Sequence, residues 1–140
     1  MGSFERRHRP RVVLADDNIE LFDGLRRLLE PQFDVIGTVQ DGHAALSVAN
    51  DLKPDVWVLD ISMPRVGGIE AASKLRQKDP SAKIVFLTMH QDPALVEQAL
   101  STGASGYVLK ILAHSELVVA LKEVLAGRTF VSSRLRQQAD

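Results

Sequence analysis

Polar residues that could act on a phosphoryl group follow short apolar runs of the sequence. Asp16 and Asp17 end the first run, Asp60 the third, Thr88 the fourth and Lys110 the fifth. A carboxylate can be a nucleophile, a lysine ammonium suits a phosphate oxygen, and a threonine hydroxyl can donate to another. If the runs are strands of one sheet, this set predicts a phosphoryl-transfer site.

The three aspartates would repel one another if they met. At ~4 Å and an effective dielectric near 20, each like-charged pair costs roughly 4 kcal/mol. Such a site must take up protons or bind a cation. Because oxygen ligands without histidine or cysteine suit Mg²⁺, or Mn²⁺ in its place, we predict a magnesium site at Asp16, Asp17 and Asp60.

Five short runs rich in β-branched residues alternate with stretches of helical spacing. The runs are residues 11–15, 33–39, 55–59, 83–87 and 105–109. Several are nearly continuous in apolar residues, as expected of parallel strands covered on both faces. The alternation predicts an α/β fold, a doubly wound parallel sheet with helices on both faces. If the strand order is 2-1-3-4-5, strands one and three are neighbours, and their aspartates would meet at the carboxyl edge.

The fourth helix carries clear start and stop signals. Asp92 is predicted as its N-cap, Pro93 as its first residue and Gly103 as the left-handed residue after its end. Trp57 is predicted to lie in the core, and His114 to begin the fifth helix rather than bind metal.

Composition limits the classes of partner. Seventeen Lys and Arg against 18 Asp and Glu give a net charge of −1, so no overall electrostatic attraction to nucleic acid or acidic membrane is expected. The absence of cysteine excludes disulfides and thiolate metal sites. No apolar run is long enough to cross a bilayer and no signal peptide is recognised, so we expect a cytoplasmic protein without a membrane partner.

The length fits one domain. Residues 1–10 are expected to be a disordered lead, in which Met1, Gly2 and Ser3 are a candidate tag remnant. Residues 11–127 are predicted to form the domain. Residues 128–140 are expected to be a frayed terminus, with an extended last helix or the start of a linker as alternatives.

Taken together, residues 11–127 resemble the response regulator receiver domains of two-component signalling. Residues 60–68, Asp-Ile-Ser-Met-Pro-Arg-Val-Gly-Gly, are similar to the family's phospho-acceptor signature. Residues 14–17 resemble its acidic pair, residues 87–88 its switch hydroxyl, and residues 106–110 its switch aromatic and lysine.

The resemblance implies a flavodoxin-like (βα)5 fold in which a sensor histidine kinase phosphorylates Asp60. Asp17, Asp60 and the Ser62 backbone carbonyl would bind Mg²⁺ directly, and Asp16 would act through water. Lys110 would pair with Asp60 or its phosphate. The domain would be a signalling phospho-acceptor rather than an enzyme, with at most self-phosphorylation from small phosphodonors and slow self-dephosphorylation.

The resemblance also implies an output. Thr88 would move toward the phosphoryl group, and Tyr107 would swing inward and remodel the face formed by helix 4, strand 5 and helix 5. A homodimer is expected through that face.

Residues 88–90 and 110–111 are similar to the branch with a LuxR-type helix-turn-helix (NarL/FixJ-like). Met89 stands where a small residue is usual, which is expected to narrow access to the phosphate. His90 has two interpretations, a contact to attacking water or a solvent-facing loop residue. A helix-turn-helix needs several tens of further residues. DNA would therefore be bound only through an output domain absent from this chain, for control of transcription.

Three other functions are alternatives to this interpretation. A stand-alone receiver would act by protein contacts alone. An aspartate-nucleophile phosphatase usually needs a second aspartate two residues after the nucleophile as general acid, and Ser62 stands there. A receiver that binds partners without phosphorylation is disfavoured because every reactive residue type is present.

Overall fold

The computed structural model describes residues 9–139, so the predicted disordered lead lies, apart from residues 9 and 10, outside the described residues. Strands and helices alternate along the chain. The elements are β1 (Arg11–Ala15), α1 (Glu20–Leu29), β2 (Asp34–Val39), α2 (Gly42–Leu52), β3 (Val56–Leu59), α3 (Gly68–Lys78), β4 (Ile84–Thr88), α4 (Pro93–Leu100), β5 (Gly106–Leu109), a 3₁₀ turn (Lys110–Leu112), α5 (Ala113–Leu125), β6 (Phe130–Val131) and α6 (Ser133–Ala139). Among the described residues, no helix combines the length and apolar character needed to cross a bilayer.

The strands form one parallel sheet in the order β2-β1-β3-β4-β5-β6. The predicted order 2-1-3-4-5 is confirmed, and a sixth strand follows it. The order reverses between β1 and β3, which places the carboxyl ends of these two strands side by side. In doubly wound sheets this reversal point is where ligands bind.

The sheet separates two apolar layers, because successive side chains of a strand point to opposite faces. Val12 and Leu14 face the layer that α1 and α5 cover, and Val13 and Ala15 face the layer under α2, α3 and α4. Trp57 is buried in the second layer, which confirms the prediction that it belongs to the core.

The boundary signals of α4 act as predicted. The Asp92 side chain accepts a hydrogen bond from the Ala94 N–H, and Pro93 is the first helical residue. Gly103 has a φ of +94°, in the left-handed region that the chain needs to turn after the helix. His114 lies in the first turn of α5, also as predicted.

The expectation that the tail frays is wrong for residues 130–136. Phe130 and Val131 pair with β5 as a parallel strand, and Ser132 is fully buried. Leu135 is only 7% exposed and packs into the second apolar layer. The physical reason is that β5 would otherwise end the sheet with an unpaired edge, which a short strand can cover. The sheet thus continues past Gly127, and the predicted domain boundary there stays a prediction.

Candidate functional site

Two of the three aspartates are placed by the strands that precede them. The Asp16 N–H donates to the Val39 carbonyl (3.0 Å) and the Asp60 N–H to the Ala15 carbonyl (2.9 Å), so both residues continue the sheet ladder. Asp16 is 3% exposed and Asp60 5%, whereas Asp17 is exposed. Carboxylate oxygens of all three lie within 4.8 Å of one another. The predicted convergence of the aspartates is present.

Lys110 supplies a positive charge within this cluster. Its Nζ lies 2.7 Å from Asp16 Oδ2 and 3.2 Å from Asp60 Oδ2. Burial raises the pKa of Asp16 and the charge of Asp60 adds to the rise, against the hydrogen bond from Lys110. Burial alone would lower the pKa of Lys110, but its bond to Asp16 and the two carboxylate charges raise it overall. The lysine therefore stays charged.

The donor set fits Mg²⁺. Asp60 Oδ1 is buried and, within the part of the chain that is described, has no hydrogen-bond partner. A buried polar atom of that kind calls for an ion or a water. Mg²⁺ prefers oxygen ligands and is commonly held by one or two carboxylates with several waters. Asp60 and the exposed Asp17 would hold it, while the roles of Asp16 and the Ser62 carbonyl stay predictions.

The loop between β3 and α3 closes tightly behind Asp60. The Gly68 N–H donates to the Ile61 carbonyl (2.8 Å). A Cβ on Gly68 would lie 1.9 Å from the Asp60 carbonyl oxygen, so this position has room only for hydrogen. Arg65, within the loop, has a φ of +69°. Sequence reasoning included Gly68 in a motif but missed its steric role; the signal available was the adjacent pair of glycines.

Thr88 lies at the end of β4, beside β5, the strand that directly precedes Lys110. It pairs in register with Leu109, the residue before Lys110. Its side chain is fully buried, and its hydroxyl accepts a long hydrogen bond (3.4 Å) from the His90 N–H. The sheet register thus places the hydroxyl at the same edge as the carboxylates.

Tyr107 already occupies a buried position. Its hydroxyl donates to the His90 carbonyl (2.9 Å), and its ring packs against Phe86. Burial raises the pKa of Tyr107 to about 12, and the charges of Asp60 and Asp92 add to the rise. The hydroxyl therefore remains a donor at neutral pH. Tyr107 is therefore buried in this structure, and its predicted swing stays a prediction.

Met89 and His90 directly follow Thr88, at the edge of the sheet where the aspartates lie. His90 Nε2 lies 2.6 Å from Ser62 Oγ, in a hydrogen bond that joins the loops after β3 and β4. Met89 is 70% exposed. His90 thus contacts Ser62, two residues after Asp60, and both interpretations of His90 stay predictions.

The chain is similar to known proteins in sequence and in fold. Residues 12–122 match the family described as response regulator receiver domain. The chain is 36% identical over 126 residues to the transcriptional regulatory protein DegU of Brevibacillus brevis, a match covering 89% of this chain and 53% of that protein. It thus spans about half the length of that curated relative.

Solved structures are similar over almost the whole chain. A LuxR-family two-component response regulator from Aurantimonas sp. SI85-9A1 superposes with a TM-score of 0.88 at 39% identity, covering 91% of this chain and 93% of that one. A second similar structure is the isolated REC domain of RcsB from Salmonella enterica serovar Typhimurium in the presence of phosphomimetic BeF3⁻. It superposes with a TM-score of 0.86 at 29% identity, covering 93% of this chain and 98% of that one.

Proposed function

We propose that this chain, which belongs to the response regulator receiver domain family, accepts a phosphoryl group on Asp60. The observation that carries the proposal is the state of the Asp60 carboxylate. One oxygen lies 3.2 Å from the Lys110 ammonium, and the other is buried with no hydrogen-bond partner among residues 9–139. A carboxylate held in this way has a fixed orientation and a free lone pair, as a nucleophile requires.

In the reaction, an Asp60 oxygen attacks the phosphorus of a phosphohistidine. An O–P bond forms and the P–N bond breaks, and the leaving imidazole keeps the electron pair while its other nitrogen carries the proton. Lys110 offers a positive charge to the incoming phosphoryl oxygens, and Thr88 offers a hydroxyl. Bound at Asp17 and Asp60, Mg²⁺ would neutralise part of the charge on the phosphoryl group.

The direct test is incubation of the chain with acetyl phosphate and Mg²⁺, followed by intact-mass measurement. We expect a single phosphoryl adduct, and none when a chelator removes the metal. An unmodified mass at all phosphodonor concentrations would contradict the proposal.

The variant Asp17→Asn tests whether Mg²⁺ binds at the aspartates. We expect its Mg²⁺ affinity to fall at least about tenfold, because one carboxylate ligand becomes a neutral amide. Without metal the variant should melt at a higher temperature than the wild type, since it removes repulsion within the three-carboxylate cluster. Titration calorimetry and thermal melts measure the two effects. Asp51→Asn, an exposed site on α2, is the matched control, and an affinity equal to that of this control would contradict the assignment.

The phosphodonor is proposed to be a sensor histidine kinase. Three exposed apolar side chains, Ile19, Met89 and Ile111, are 57%, 70% and 62% exposed. They lie beyond the ends of β1, β4 and β5, Ile111 within the 3₁₀ turn, and so at the same edge of the sheet as Asp60. An apolar rim around a charged pocket suits a docked protein surface.

The output is proposed to be control of transcription. DegU is named a transcriptional regulatory protein, and the Aurantimonas structure a LuxR-family response regulator. In this proposal the chain is the receiver part, acts in the cytoplasm, and reaches DNA only through an output domain. A receiver that acts by protein contacts alone remains the second candidate, and DNA binding by the 140-residue chain itself would contradict both.

A catalytic phosphatase is not proposed. Ser62 stands two residues after Asp60, and its hydroxyl is engaged by His90 at 2.6 Å. A serine there supplies no carboxylic acid for the leaving group. Turnover is therefore proposed to be limited to slow self-dephosphorylation.

Dimerisation through α4, β5 and α5 is also proposed. Because β6 pairs with the outer edge of β5, the dimer contact has to come from the outer surfaces of α4 and α5 unless β6 moves. With Mg²⁺ and beryllofluoride we expect sedimentation to give twice the monomer mass. A monomer mass at the highest concentration reached would contradict the prediction.

A further inference from the structure

Residues 130–136, here called the C-terminal segment, are fastened along β5 by backbone contacts. The Phe130 N–H donates to the Ser105 carbonyl and the Ser132 N–H to the Tyr107 carbonyl, each at 2.9 Å. Leu135 packs into the apolar cluster that contains Tyr107. The segment therefore touches the strand that carries the proposed switch tyrosine.

Glu116, in the first turn of α5, binds the same segment through its carboxylate. Oε1 accepts from Ser132 Oγ (2.6 Å), and Oε2 accepts from Ser133 N (3.1 Å) and Ser133 Oγ (2.8 Å). Burial alone would raise the pKa of Glu116, but the hydrogen bonds from Ser132 and Ser133 outweigh it and hold the pKa below its usual value. Hydrogen bonds to an ionised acceptor are the stronger kind.

The Ser132 hydroxyl joins this carboxylate to the end of β5. It is fully buried, donates to Glu116 and accepts from the Leu109 N–H (2.9 Å). Leu109 directly precedes Lys110, whose ammonium is shared by Asp16 and Asp60. Short contacts thus run without interruption from Asp60 through β5 to the segment.

We propose that Glu116 is a positioning residue that fastens the C-terminal segment to the end of β5, so that the segment follows Lys110 when a phosphoryl group arrives on Asp60. The second half of the proposal rests on the proposed function. A phosphoryl group would compete with Asp16 for the Lys110 ammonium. If the Lys110 backbone shifts with its ammonium, it would also move Leu109, whose N–H is bound to Ser132. A local change of charge would then reach the segment.

The fastening is tested on the unmodified 140-residue chain by residue-resolved amide hydrogen exchange. In Glu116→Gln one carboxylate oxygen becomes an NH₂ that faces donors, so the Leu109 and Ser132 amides should exchange about tenfold faster. Ser133→Ala removes one hydroxyl donor, so the same amides should exchange about threefold faster. Glu70→Gln is the control: it makes the same chemical change on α3, where the side chain pairs with Lys74. Wild-type exchange rates in Glu116→Gln would overturn the fastening.

The coupling is tested after incubation with acetyl phosphate and Mg²⁺, with the adduct measured first by mass. We expect phosphorylation to change exchange at residues 130–136 in the wild type. Glu116→Gln should be phosphorylated equally but lose most of that change. An equal change in both proteins would overturn the coupling. If no adduct forms on either protein, the coupling falls together with the proposed function, and the unmodified proteins still decide the fastening.

Discussion

Asp60→Asn is expected to form no phosphoryl adduct with acetyl phosphate and Mg²⁺, a loss of at least about a thousandfold in rate. The amide has almost the shape of the carboxylate but lacks its negative charge, so it is a poor nucleophile. Lys110 keeps its 2.7 Å contact to Asp16, so the variant should fold as the wild type does. Intact mass, with circular dichroism to check the fold, measures both expectations.

The control for this variant is Asp51→Asn, which removes an exposed carboxylate on α2 and should be phosphorylated like the wild type. Peptide mapping of the wild-type adduct gives a second, independent reading. An adduct on Asp60→Asn at the wild-type rate would show that another carboxylate, Asp16 or Asp17, accepts the phosphoryl group, and would remove Asp60 from its proposed role.

Gly68→Ala is expected to destabilise the chain by about 3 kcal/mol, the upper end of the usual cost of overpacking. The added methyl would lie 1.9 Å from the Asp60 carbonyl oxygen and 2.8 Å from its carbon. These are backbone atoms, so relief requires that the loop after β3 move as a whole. Because Asp60 moves with that loop, phosphorylation should slow as well. Urea denaturation and the acetyl phosphate assay measure the two effects.

Gly24→Ala is the matched control for that substitution. Gly24 is exposed in the middle of α1, and a Cβ there meets nothing within 4 Å. Alanine should stabilise the helix by up to about 1 kcal/mol, because it restricts the unfolded chain. If Gly68→Ala were as stable as Gly24→Ala, the tight closure behind Asp60 would not be a constraint on the fold.

Much of the fold could be predicted because its signals are local. Each of the five strands is an apolar run, and α4 carries its cap, its first proline and its terminal glycine within a dozen positions. The sheet edge on which the aspartates lie could also be predicted, since any residue just after a parallel strand lies at the carboxyl edge of the sheet. Asp16, Asp17 and Asp60 were therefore expected to meet, and their oxygens do lie within 4.8 Å.

The sixth strand could not be predicted in the same way. Phe130 and Val131 are two residues, too short a run to show any periodicity. Their pairing depends on the free edge of β5, which belongs to another part of the sequence. Composition predicts a frayed tail, and the pairing of Phe130 and Val131 with β5, the burial of Ser132 and the packing of Leu135 overturn that prediction.

The sequence by itself determined the strand–helix rhythm and the residue types at the reactive edge, because these follow from local pattern and from the geometry of parallel sheets. The tertiary structure alone decided how Lys110 is shared between Asp16 and Asp60, how closely Gly68 approaches Asp60, and how Glu116 holds Ser132. These are contacts of a few ångströms between distant parts of the chain. Their distances depend on how helices and loops pack, which no spacing in the sequence encodes.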